Sequence, residues 1–77
     1  MGETLKIVKE WSSDLLWLAR RRVALSRANA ACVMDKLGCE VSVGSIQNWE
    51  TGKTIPDAHY LPWLAATYKV KMEAFYE

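Results

Sequence analysis

Cysteine and histidine are too scarce in this chain to build a metal centre or a disulfide framework. Cys32, Cys39 and His59 are the only residues of either kind. A structural zinc site takes four ligands of these types, and two cysteines define no scaffold of bridges. Proline is confined to Pro56 and Pro62, so little interrupts helix formation. The net charge is only +1, which exerts no overall pull toward nucleic acid or an anionic membrane. No apolar stretch reaches the roughly 20 residues of a spanning helix. The opening Met-Gly-Glu-Thr-Leu-Lys-Ile is too broken by charge for a secretory leader. The chain is therefore expected to be soluble and cytoplasmic, with no membrane partner.

What is present fits one small globular domain: 77 residues, 51% of them hydrophobic and 25% charged. A domain of this size buries only about 60% of the surface of its unfolded chain. That argues against a deep, walled active site and for a module that works through its surface. No serine, cysteine or acid has a base set beside it by any motif, so the chain is expected not to be an enzyme and to need no cofactor.

The charges are unevenly spread. Residues 15–56 carry Arg20, Arg21, Arg22, Arg27, Lys36 and Lys53 against Asp35, Glu40 and Glu50. Glu3, Glu10, Asp57, Glu73 and Glu77 lie toward the ends. A basic middle can present one positive face despite the neutral total.

Apolar residues recur at intervals of three and four, which predicts helices throughout. Residues 3–11 read two ways, as a strand through Leu5 and Ile7 or as a helix through Leu5, Val8 and Trp11. Residues 1–11 are accordingly an arm or short helix, and 12–77 form the domain. Ser12, Ser13 and Asp14 suit a helix start. Leu15, Leu16, Leu18, Ala19 and Val23 are the expected inner side of that first helix. Ser26 opens a second helix whose apolar residues Ala30, Ala31, Val33, Met34 and Leu37 run to Gly38, its stop. Ser42 caps a short third helix, with Ile46 and Trp49 on one side and Gly52 at its end. A fourth begins at Pro56-Asp57, has Leu61, Leu64, Ala65 and Tyr68 inward, and should show an irregular first turn because of Pro62. Val70 and Phe75 anchor a short fifth. The expectation is all-α, five helices and no sheet.

The stretch Val41-Ser42-Val43-Gly44-Ser45-Ile46-Gln47-Asn48-Trp49-Glu50-Thr51-Gly52-Lys53-Thr54-Ile55-Pro56 resembles the recognition-helix half of a Cro-type helix-turn-helix domain, the phage-repressor or xenobiotic-response-element family. The resemblance extends over about Leu16 to Phe75, through Leu25-Ser26, Ala30-Ala31, Leu61, Leu64-Ala65, Tyr68 and Val70. One interval is longer than in most members: Ala31 and Ile46 stand fifteen positions apart. Gly38-Cys39-Glu40-Val41-Ser42 fits a subgroup with an extended second helix and turn. The fold implied is a five-helix lambda-repressor-like helix-turn-helix domain with a short N-terminal arm or extra helix.

In that family's docking the third helix enters the major groove N-terminal end first. The resemblance then makes Val43, Gly44, Ser45, Gln47 and Asn48 the base-reading residues. Gln47 and Asn48 can each pair bidentately with adenine, Val43 offers a methyl surface to thymine, and Ser45 can bond a base or a phosphate. Gly44 has two readings: a point of close approach to the groove, or a permissive first-turn position. Ser26, Arg27, Ser42, Lys53 and Thr54 are placed to hold DNA phosphates. Arg20, Arg21 and Arg22 either join them or form a solvated helix end.

Trp49 reads as core. Glu50 reads as a structural bond at the helix end or as a reader of cytosine. Trp17, between the apolar stripe and Arg20-Arg21, reads as exposed; with Trp11 and Val8 it would bury the arm, or else form a partner surface. Phe75 reads as core, Tyr76 as part of a docking end, His59 as solvated and the cysteines as reduced thiols. The function implied is sequence-specific binding of double-stranded DNA by a small transcriptional regulator, acting as a homodimer on an inverted repeat. The alternative is a protein-interaction module, an antirepressor or assembly adaptor, that keeps the fold without binding DNA.

Overall fold

A computed structural model describes residues 10–77; the expectations placed on Leu5, Ile7 and Val8 lie outside that range. Three successive helices start at serine caps. Ser12 opens α1 (Ser13–Arg22), its hydroxyl accepting from the Leu15 N–H, and Asp14 sits in the first turn. Ser26 opens α2 (Arg27–Leu37) by accepting from the Asn29 N–H. Ser42 opens α3 (Val43–Thr51) by accepting from the Ser45 N–H. Each serine satisfies one of the donors that a helix start leaves unpaired. The helices α2 and α3 both end on a glycine in the left-handed region, Gly38 at φ 112° and Gly52 at φ 82°, a geometry that side chains disfavour.

The fourth helix begins later than the sequence suggests. A 3-10 turn, Ala58–Tyr60, leads into α4 (Leu61–Tyr68), with Pro62 in the first α-helical turn. Proline has no N–H to give to a preceding carbonyl, and its ring would clash within a longer helix; in a first turn both problems vanish. The expected fifth helix is likewise a 3-10 turn, Met72–Phe75. The described residues thus form an all-α arrangement of four α-helices and two 3-10 turns, with one isolated antiparallel bridge between Trp11 and Tyr76. Around it the Ser12 N–H donates to the Phe75 carbonyl at 2.8 Å, and Glu10 and Glu77 exchange two backbone bonds. The start of the described chain is thereby fastened to its end.

Leu16, Ala30, Met34, Ile46, Leu64 and Phe75 are fully buried, with Tyr68 beside them. The helix α1 packs on α3 and on the last 3-10 turn, and α2 packs on α3 and α4. One residue expected inside is outside, Leu18 at 45% exposure, and Leu37 is 46% exposed as well. At about 100° per residue, Leu18 lies opposite Leu16, and the inner stripe of α1 runs through Leu16, Ala19 and Arg20 instead. Leu37, the last residue of α2, is in phase with Ala30 and Met34 yet stays exposed. No helix among the described residues is long and apolar enough to cross a membrane.

Candidate nucleic-acid interface

The short helix α3 is divided sharply along its length. Ile46, Trp49 and Glu50 are buried, a pattern of three and four that repeats one face of the helix. Val43, Gly44 and Gln47 are exposed, and Ser45 and Asn48 are half-buried. All five residues expected to read bases therefore lie on the helix with surface to offer, Val43 at 41% exposure. Trp49 closes the inner side against Tyr60, with ring centroids 5.0 Å apart.

At the start of α3 the Ser42 hydroxyl accepts from the Ser45 N–H and donates to the Ser45 hydroxyl, both at 3.0 Å. Ser42 is thus occupied as a cap, while the Ser45 hydroxyl keeps its own hydrogen to donate. At the other end the Asn48 carbonyl accepts from the Lys53 and Thr54 N–H groups, at 2.9 and 3.2 Å. These bonds fix the chain after Gly52 and leave the Lys53 and Thr54 side chains exposed. Ser26 is exposed, its hydroxyl oxygen accepting from Asn29.

Glu50 is the hub that binds α3 to the other two helices. The Arg20 guanidinium donates from Nε to Oε2 at 2.6 Å and from Nη2 to Oε1 at 2.9 Å. Its remaining Nη1 donates to the Leu25 carbonyl at 2.8 Å. That carbonyl reaches Arg20 because Ala24 adopts a left-handed conformation, φ 57°, in the link between α1 and α2. The bond to Glu50 pushes the Arg20 pKa up, against the opposing effect of its burial. Arg27, the first residue of α2, donates from Nε to Oε1 of the same carboxylate at 3.0 Å. One negative charge therefore faces two positive ones.

This hub revises three expectations. Arg20 belongs to neither a solvated helix end nor a phosphate-binding set; it is buried, and each of its three guanidinium nitrogens makes a bond inside. Glu50 is a structural acid, and its partners are Arg20 and Arg27 rather than the helix end. Arg27 is held by Glu50 through one nitrogen, with its side chain about one third exposed: 33%. The sequence carried the signal for the burial of both. Glu50 stands four residues after Ile46 and Arg20 four after Leu16, so the helical period alone turns both inward. A buried acid or base needs a partner, but the period does not name it.

Trp17 is exposed as its position beside Arg20-Arg21 suggests, at 38%, with the Arg21 guanidinium 5.1 Å from its ring centre. Trp11 packs on Phe75 and Tyr76; the arm the two were expected to bury lies outside the described residues. His59 is exposed and stacks beside Tyr60 at 3.9 Å. Cys32 is exposed and Cys39 buried, both as free thiols. Tyr68 lies under the hub; burial and the Glu50 charge push its hydroxyl well above the usual tyrosine pKa, and Arg20 and Arg27 only partly offset them.

No protein-family model, curated protein or solved structure matches this chain. What the geometry defines is a small all-α domain that holds one short helix by a buried ion-pair hub and turns the polar edge of that helix outward.

Proposed function

We propose that the chain is a sequence-specific DNA-binding regulator, a repressor or Cro-like protein of the lambda-repressor-like helix-turn-helix class. The observation that carries this reading is the division of α3: Ile46, Trp49 and Glu50 inward, Val43, Gly44 and Gln47 outward. A helix with that division fits a major groove about 12 Å wide, where amides read adenine edges and a methyl surface meets thymine. Arg27, Lys53, Thr54, Ser26 and the Ser42 end of α3 flank it as phosphate contacts. Arg27 serves this role through the nitrogens that Glu50 does not engage. The resemblance of Val41 to Pro56 to the Cro-type recognition half supports the same reading.

A single copy has about five base-reading residues, too few to raise affinity far above non-specific binding. The active form in this reading is a homodimer on an inverted repeat, with half-site centres about 34 Å apart. Selection from a random duplex pool tests it. The expected product is an enriched, symmetric site whose enrichment the Gln47→Ala/Asn48→Ala double variant loses while melting normally. A pool that stays random overturns the reading.

A protein-interaction role has one observation in its favour, the exposed neighbours Trp17 and Leu18. It predicts the reverse pattern: an intact Gln47/Asn48 double-alanine phenotype and loss of function on changing Trp17.

A further inference from the structure

Three glycines lie among the described residues, and two have internal reasons to be glycine. Gly38 and Gly52 hold left-handed conformations. Gly44 does not: it sits in the first turn of α3 with an ordinary backbone. A Cβ placed there would meet only the Ser42 hydroxyl, at 3.9 Å, an ordinary contact. Neither the backbone nor the packing of this protein asks for glycine at position 44. Glycine in a helix is nevertheless disfavoured relative to alanine. The missing side chain leaves open space on the surface of the helix.

The surroundings say what that space fits. Residues three and four positions apart are neighbours on a helix surface, so Gly44 borders Gln47 and Asn48, the two amides able to pair with adenine. Val43, next in sequence, adds an exposed apolar wall. Adenine in a duplex comes with thymine, whose 5-methyl group stands out in the major groove. A helix that brings Gln47 or Asn48 to an adenine edge must also accommodate that methyl or its neighbour's. We infer that Gly44 is a notch that seats the 5-methyl group of a thymine, with Val43 as its side, so that the site selects A·T pairs by fit as well as by hydrogen bonding. The inference rests on the DNA-binding reading above.

The test combines Gly44→Ala with uracil, which differs from thymine by the methyl group alone. Duplexes of the selected site are made with each thymine replaced singly by uracil, and binding of the unaltered chain and of Gly44→Ala is measured by fluorescence anisotropy. Gly44→Ala should melt at the same or a higher temperature and bind the thymine site about tenfold or more weakly, the size of one mismatched pair. One particular uracil replacement should restore its binding to about that of the unaltered chain on the same duplex. Equal binding by Gly44→Ala overturns the inference, as does a loss that no uracil relieves. Should the unaltered chain select no site at all, the DNA-binding reading fails and takes the notch with it. Selection by the unaltered chain with no effect of Gly44→Ala removes the notch alone.

Discussion

The Arg20 guanidinium and the Glu50 carboxylate meet through two hydrogen bonds, 2.6 and 2.9 Å long, across 30 positions of sequence. Both residues are buried, at 8% and 6% exposure. Removing Arg20 leaves the buried Glu50 carboxylate only the single, partly exposed bond from Arg27, and a buried charge stripped of its principal partner costs more than the intact pair contributes. Arg20→Met should therefore lower stability by about 3–5 kcal/mol, a large share of the roughly 5–15 kcal/mol available to a domain. Arg27→Met, at a partly exposed site, should cost about 1 kcal/mol or less. Urea denaturation compares them; equal losses from the two would show that Arg20 is not the principal partner.

Alkaline pH should unfold this protein through Tyr68. Its hydroxyl is buried without a hydrogen-bond partner among the described residues, and its pKa is raised in the folded state by burial and by Glu50. A raised folded pKa contributes stability that is full below the unfolded value, about 10, and is lost as pH rises toward the folded value. Burial also raises the Cys39 thiol, a change of the same sign. Urea midpoints should thus hold steady from pH 7 to about 8, begin to fall as the unfolded thiol ionises at about 8.5, and fall further beyond about 10. Tyr68→Phe should weaken the decline above pH 10 and leave stability at pH 7 equal or higher, since it removes an unpaired polar group. An unchanged alkaline profile in Tyr68→Phe would assign the decline elsewhere.

Salt should weaken DNA binding in proportion to the phosphates held. Each contact adds about 0.9 to the slope of log affinity against log salt. Arg27→Ala and Lys53→Ala should each reduce that slope by about one contact while lowering affinity evenly across sequences. Gln47→Ala should leave the slope alone and relax sequence preference instead. A slope that neither basic substitution alters would remove Arg27 and Lys53 from the interface.

The two helix-ending glycines should behave oppositely to Gly44. Alanine at Gly38 or Gly52 must adopt a left-handed conformation, at a cost of about 1–2 kcal/mol. At Gly38 the new side chain also meets the Trp63 ring, whose nearest atom lies 3.7 Å away. Thermal melts of the three alanine variants should rank Gly44→Ala above the other two. Equal stability of all three would contradict the left-handed caps.

Local chemistry wrote much of this fold plainly. Ser12, Ser26 and Ser42 are caps, and Gly38 and Gly52 are stops, because a helix end must satisfy its own amides and carbonyls within a few residues. The outward edge of α3 was legible for a similar reason: Ile46 and Trp49 fix which side faces in, and the helical period leaves Gln47 outside. The same period pointed Arg20 and Glu50 inward, yet a sequence does not say which distant partner waits there. Only tertiary packing decided that the two meet and that Arg27 shares the carboxylate. It also decided that Pro62 starts a helix rather than bending one. Caps and periods are settled by neighbours along the chain, whereas pairing and burial depend on which helices come to lie side by side.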